Sequence, residues 1–227
     1  GAGKTTLFRT LIGSEPAMGG RIAWSGRTRG FPSPHDLAAC VAYVPQQSGH
    51  APDLSVADYV MLGRIARKTA FARPAVEDHR AVERALRRLG LESLARRPLG
   101  RISGGERQLA AVARALAQQA GVLLLDEPTA SLDFSNQQLV LTQVRSIVGD
   151  GLAVIFSTHQ PDHAHQLADR VLALDGHGAS RFGPSDEILS EAVLSELYGI
   201  PVMRVEARGH VLFSAVQTSR SSSGPAA

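Results

Sequence analysis

The apolar runs Val122-Leu123-Leu124-Leu125 and Ala153-Val154-Ile155-Phe156 constrain this chain most. Each is of strand length, apolar throughout, and set among stretches of helical pattern. Strands without polar alternates are buried on both faces, and helices between them act as crossovers. The expected architecture is therefore α/β, a mainly parallel sheet covered on both sides. Val41-Ala42-Tyr43-Val44, stopped by Pro45, reads as a further buried strand.

Between the strands, Leu7, Leu11 and Ile12 have helical spacing behind Gly1–Thr6. From Ser55 to about Arg101 the pattern is helical, with Pro74 suited to a helix start, Val82, Leu86 and Leu89 on one face, and Gly90 as a C-terminal cap. Further helices are expected from Ser103-Gly104-Gly105 to about Gln119 and around Gln137–Val148. Glycine-rich Met18–Gly30 suits a hairpin or short strands with turns, and Val171–Leu174 before Asp175-Gly176 suggests a hairpin edge. Arg220–Ala227 reads as disordered tail. No internal repeat is visible. One domain is expected over residues 1–215, with a helical subdomain at about 50–115 and a tail at 216–227.

The 227 residues suffice for a sizeable core, yet no apolar run approaches the roughly 20 residues of a membrane-spanning helix. Any spanning part would belong to another subunit. Arg84, Arg87, Arg88, Arg96, Arg97 and Arg101 are interleaved with Glu77, Asp78, Glu83 and Glu92, which favours a solvated helix face over a nucleic-acid surface. The one cysteine, Cys40, cannot form an internal disulfide and reads as a small buried hydrophobe in a reducing cytoplasm. No signal or transit peptide is seen.

Gly1-Ala2-Gly3-Lys4-Thr5-Thr6 matches the second half of a phosphate-binding P-loop, whose first glycine would lie upstream of Gly1. In such a loop, backbone N–H groups and a helix N-terminus cradle phosphate oxygens. Lys4 would reach the β- and γ-phosphates of ATP, and the Thr5 hydroxyl would ligate Mg²⁺. Taken alone, this half-motif is equally consistent with a glycine-rich turn before an amphipathic helix. The strand Val122–Leu125 ends in Asp126-Glu127, which delivers two carboxylates to the carboxyl edge of a parallel sheet. Asp126 would hold Mg²⁺ through its water shell, and Glu127 would polarise the attacking water. The bland alternative, two carboxylates capping the next helix, loses ground beside a P-loop lysine.

Ile102-Ser103-Gly104-Gly105-Glu106-Arg107-Gln108 resembles the signature sequence of the ABC ATPases. Asp126-Glu127-Pro128-Thr129 and Ser131-Leu132-Asp133 resemble that family's Walker B extension and D-loop. Gln46 resembles the Q-loop glutamine, with Gln47 the weaker candidate, and His159 in Ser157-Thr158-His159 resembles the switch histidine. Ile102 and Glu106 stand where leucine and glutamine are commoner. The motifs occur in the family's order over Gly1–His159. The resemblance implies a P-loop NTPase fold with a helical signature subdomain, whose first strands and adenine-stacking aromatic would lie upstream of this chain.

The resemblance also implies two such domains paired head to tail around two ATP molecules. Gly1, Ala2, Gly3, Lys4, Thr5 and Thr6 of one copy would hold each nucleotide. Ser103, Gly104 and Gly105 of the other copy would close on its γ-phosphate, with Asp133 alongside. Gln46 would contact Mg²⁺ and water, and His159 would hold the γ-phosphate and water in line. His159, His163 and His165 do not suggest a metal site, because Pro161 interrupts the helical spacing. A solvated helix start is the reading for His163 and His165. The compact stretch between Lys4 and Ser103 disfavours DNA-repair members, and a single domain disfavours translation factors.

Tyr43–Gly63, Ser157-Thr158-His159-Gln160-Pro161 and Tyr198-Gly199-Ile200-Pro201 look like bacterial importers of iron-siderophores, haem, vitamin B12 and related metal chelates. A molybdate or other oxyanion importer fits nearly as well. The implied partners are a second nucleotide-binding subunit, transmembrane permeases and, indirectly, a substrate-binding protein. The implied location is the cytoplasmic face of the membrane.

Overall fold

A computed structural model describes residues 2–24, 33–46, 52–65 and 73–216. The chain divides into two compact units, Gly3–His159 and a second beginning at Gln160. The first unit runs α1 (Lys4–Leu11), α2 (Pro34–Cys40), β1 (Val41–Val44), α3 (Val56–Ile65), α4 (Val76–Arg88), α5 (Gly104–Ala117), β2 (Val122–Leu125), α6 (Phe134–Gly149) and β3 (Ala153–Phe156).

The three strands form one parallel sheet in the order β1-β2-β3. Its central strand places Leu123, Leu124 and Leu125 fully inside. Burying a leucine to that extent is worth about 1.5–3 kcal/mol over leaving it exposed. The expected cover on both faces holds for β2 and not for β3. Among the described residues β3 is paired on one side only; Val154 and Phe156 are half-buried while Ile155 is exposed.

The helical stretch after Ser55 resolves into α3, α4 and two short 3₁₀ turns, Glu92–Leu94 and Leu99–Arg101. Val82, Leu86 and Leu89 are buried as their spacing requires, and Gly90 follows the end of α4. Pro74 lies one residue before the N-cap Ala75, not in the first turn. The start is set instead by Asp78, whose carboxylate accepts the Ala75 N–H at 2.7 Å. Arg84 and Arg87 are exposed, and Arg88 pairs with Asp150 at 2.6 Å, in keeping with a solvated face. Arg64 turns inward, donating to buried Asp78 at 3.0 Å and to the Ala117 carbonyl at 2.8 Å.

Helices α3 and α5 meet backbone to backbone at Gly63. A Cβ there would overlap the Arg114 carbonyl oxygen, while the Arg114 guanidinium lies 4.7 Å from the centre of the Tyr59 ring. Gly63→Ala should therefore destabilise the protein by about 1–3 kcal/mol through overpacking, despite alanine's better helix propensity. Urea unfolding checks this: an unchanged midpoint would mean that the two helices separate freely.

Two other expectations need correction in this unit. Cys40 is half-buried rather than in the core, because it ends α2 just before the buried strand starts at Val41. Met18–Ala23 form no strand, since this glycine-rich stretch lacks the β-branched run that a strand needs; residues 25–30 of the expected hairpin lie outside the described residues.

The second unit contains α7 (Pro161–Leu167), β4 (Arg170–Leu174), β5 (Ser180–Pro184), α8 (Ser185–Ile188), α9 (Glu191–Tyr198), β6 (Val202–Ala207) and β7 (His210–Ala215). β4 and β5 form the expected hairpin, and β6 with β7 forms a second antiparallel pair. Ala164, Leu189 and Leu194 make a small core. The solvated reading of His163 and His165 does not hold. Pro161 starts α7, whose inner face carries His163 and Ala164 into the interior. His165 is half-buried, edge-on to Phe213 with ring centres 6.1 Å apart. Arg220–Ala227 lies outside the described residues, among which no helix is long and apolar enough to cross a membrane.

Candidate active site

The carboxyl ends of β1, β2 and β3 lie side by side, in the register Val44–Leu125–Phe156. Past those ends the chain carries Pro45-Gln46 on the first strand, Asp126-Glu127 on the second and Ser157-Thr158-His159 on the third. The ladder continues briefly: the Asp126 N–H donates to the Val44 carbonyl, and the Ser157 N–H donates to the Leu125 carbonyl, each at 2.9 Å. Parallel pairing thus brings residues distant in sequence to one edge, where sheets of this kind bind ligands.

Asp126 is completely buried. The Ser157 hydroxyl donates to its Oδ1 at 2.6 Å, and the Tyr43 hydroxyl donates to its Oδ2 at 3.2 Å. The first lies in the short range of hydroxyl–carboxylate hydrogen bonds. Burial, then the charge and hydrogen bond of Asp126, push the Tyr43 phenol up to about 12, with Arg9 opposing. Tyr43 therefore remains a donor throughout the neutral range.

Glu127 has a backbone φ of 45°, uncommon for a residue with a side chain. Its N–H donates to Ser157 Oγ at 2.9 Å. Its carboxylate faces Lys4 Nζ at 3.4 Å through one oxygen and His159 Nδ1 at 3.5 Å through the other. Lys4 begins α1, directly behind Gly3, and Thr5 and Thr6 follow in its first turn. Lys4, Asp126, Glu127 and His159 are thus gathered at one edge. Gln46 lies two residues past β1 and is exposed. Gly1 and Gln47 lie outside the described residues, and Ala2 is half-buried.

Ser103, Gly104 and Gly105 belong to a different part of the unit. Ser103 is the N-cap of α5: its Oγ accepts the Glu106 N–H at 3.2 Å, and its own N–H donates to Glu106 Oε2 at 2.7 Å. That capping box leaves the serine exposed, with the positive end of a 14-residue helix behind it. Gly105 packs so closely on Asn136 that a Cβ would collide with the amide. Asn136 in turn donates from backbone and side chain to Asp133, the N-cap of α6, at 2.9 and 2.8 Å. Those two hydrogen bonds, the backbone one first, hold the Asp133 carboxyl below its ordinary range.

Sequence reasoning missed Ser157 and Tyr43 as members of the site. A signal existed: Tyr43 lies on β1 and Ser157 directly follows β3, and the register of those strands with β2 brings both to the Asp126-Glu127 pair.

The buried Asp126 carboxylate keeps lone pairs free beyond its two hydroxyl partners, and Thr5 offers a hydroxyl. One carboxylate and one hydroxyl suit Mg²⁺, which takes few protein ligands when phosphates and water complete its shell. Lys4, with three donors, suits a triphosphate.

The ABC transporter family model matches residues 1–130. The hemin import ATP-binding protein of Streptomyces coelicolor is 39% identical over 89% of this chain and 71% of its own length. The molybdate import ATP-binding protein of Haemophilus influenzae is 32% identical over 92% of this chain and 77% of its own. A solved structure assigned to the metal-chelate type of ABC transporter, in an inward-facing conformation, superimposes with a TM-score of 0.83 at 29% identity, covering 96% of this chain and 84% of that one. By this match and these likenesses, the chain belongs to the ATP-binding, ATP-hydrolysing family of ABC transporter subunits.

Proposed function

We propose that this chain powers the import of a metal chelate, such as an iron-siderophore or haem, from the cytoplasmic face of the membrane. The observation that carries the chemical part is the Glu127 carboxylate set between Lys4 and His159, beside buried Asp126. Lys4 holds the β- and γ-phosphates of ATP, aided by the backbone of residues 1–3 and by Thr6. Glu127 takes the proton of the attacking water as general base, and His159 and Gln46 keep that water and the γ-phosphate in line. Thr5, Asp126 and Gln46 would hold Mg²⁺, which when bound neutralises charge on the β- and γ-phosphates. Such a reaction depends on positioning and charge stabilisation more than on covalent chemistry.

Ser103, Gly104, Gly105 and Asp133 act on the nucleotide of a second copy, so the working unit is a dimer bound to permease subunits. The nucleotide-binding domain in this reading spans residues 1–215. Likeness to the hemin importer and to the metal-chelate type structure supports the cargo class. Likeness to the molybdate importer supports an oxyanion as the second reading. The test is purification of the full-length protein with its permease and binding protein, followed by mass spectrometry of the cargo. A metal chelate is expected; molybdate would select the second reading, and a sugar or amino acid as sole cargo would remove both.

A further inference from the structure

We infer that Ser157 is a positioning residue for the catalytic carboxylates, and that Tyr43 assists it from β1, on the other side of β2. This rests on the reading of Glu127 as the base. Neither side chain has a place in the water-activating or phosphate-binding roles above, yet both spend their hydroxyl protons on Asp126.

The case lies in how one hydroxyl is used. Ser157 Oγ accepts the Glu127 N–H at 2.9 Å and donates its single proton to Asp126 Oδ1 at 2.6 Å. The side chain is nearly buried, so these partners are not readily replaced by water. Through them, one atom just past the end of β3 ties the Asp126 carboxylate to the Glu127 backbone. That tie matters because Glu127 occupies the left-handed region at φ 45°, which is unfavourable for a residue with a Cβ and persists only where its surroundings enforce it. The conformation aims its carboxylate at Lys4 and His159, 3.4 and 3.5 Å away. Tyr43 holds the second oxygen of Asp126 and keeps that carboxylate from rotating. Its ring is anchored edge-on to Phe8, with ring centres 6.4 Å apart.

Removing the Ser157 hydroxyl frees the Glu127 backbone and loosens one oxygen of Asp126 without touching Lys4 or the groups that meet phosphate. The effect should fall on the chemical step rather than on nucleotide affinity. The experiment compares steady-state ATP turnover of the full-length transporter with Ser157→Ala, Ser157→Thr, Tyr43→Phe and Glu127→Gln. Ser157→Ala should lower kcat between about ten- and a hundredfold, the scale of a misplaced reacting group, with KM for ATP within about twofold. Ser157→Thr, which returns a hydroxyl at the same atom, should recover most of that loss. Tyr43→Phe keeps the ring packing, so it reports on the second oxygen even if Ser157→Ala folds poorly; kcat should fall severalfold.

Wild-type kcat in both Ser157→Ala and Tyr43→Phe, with Glu127→Gln inactive, would overturn the positioning role and leave the base in place. Loss of ATP affinity in step with kcat, or no recovery in Ser157→Thr, would make Ser157 a structural residue. Full turnover in Glu127→Gln would bring down the base assignment, and this inference with it.

Discussion

Glu127→Gln should lower ATP turnover by about a thousandfold, within the range that positioned general bases supply. ATP binding should hold, for a reason visible in the resting site. Glu127 lies 3.4 Å from Lys4, so its charge competes with phosphate for the lysine. Glutamine is nearly the same size, can still meet His159, and carries no charge to hold Lys4 back. The dissociation constant for ATP should stay within about threefold of wild type or tighten. Stopped turnover with retained binding, measured by equilibrium titration and phosphate release, is the expected pair of results. Turnover near wild type would remove Glu127 from the role of base.

Ser103→Arg should abolish turnover with only a small loss of stability. As an N-cap, Ser103 contributes about 1 kcal/mol through its bond to the Glu106 N–H. The serine is exposed, so an arginine can be accommodated in an isolated copy. In a head-to-tail dimer, the bulky side chain would stand where the γ-phosphate of the partner's ATP must sit, and at least a hundredfold loss is expected. The decisive version mixes Ser103→Arg with Lys4→Ala. Half of randomly formed dimers then contain one of each, and each mixed dimer has one intact site of two. About a quarter of wild-type turnover should return. No recovery would mean that each chain completes its own site.

Much of this was readable before any coordinates, and the reasons are local. Val122–Leu125 is a strand because nothing in it tolerates water, and Asp126-Glu127 must then emerge at its end. The strong capping pattern Ser103-x-x-Glu106 marks the start of α5. Other features depend on neighbours that no short window contains. His163 is buried next to Ala164, whose core partners Leu189 and Leu194 lie well downstream. Gly63 reads as an indifferent helix residue until the Arg114 carbonyl is set against it. Ser157 sits in a stretch where His159 draws the attention. Only the pairing of Leu125 with Phe156 sets its hydroxyl beside Asp126.

The contact of Gly105 with Asn136 has a mechanical consequence. Asn136 is hydrogen-bonded to Asp133 at the head of α6, and Gly105 is the second residue of α5. With no slack between them, the beginnings of α5 and α6 behave as a single stiff prow. Whatever pushes Ser103 also pushes Asp133, so a second molecule would feel both segments arrive together. A side chain added at Gly105 would push the Asn136 amide aside, and with it the hydrogen bond to Asp133 that joins the two segments.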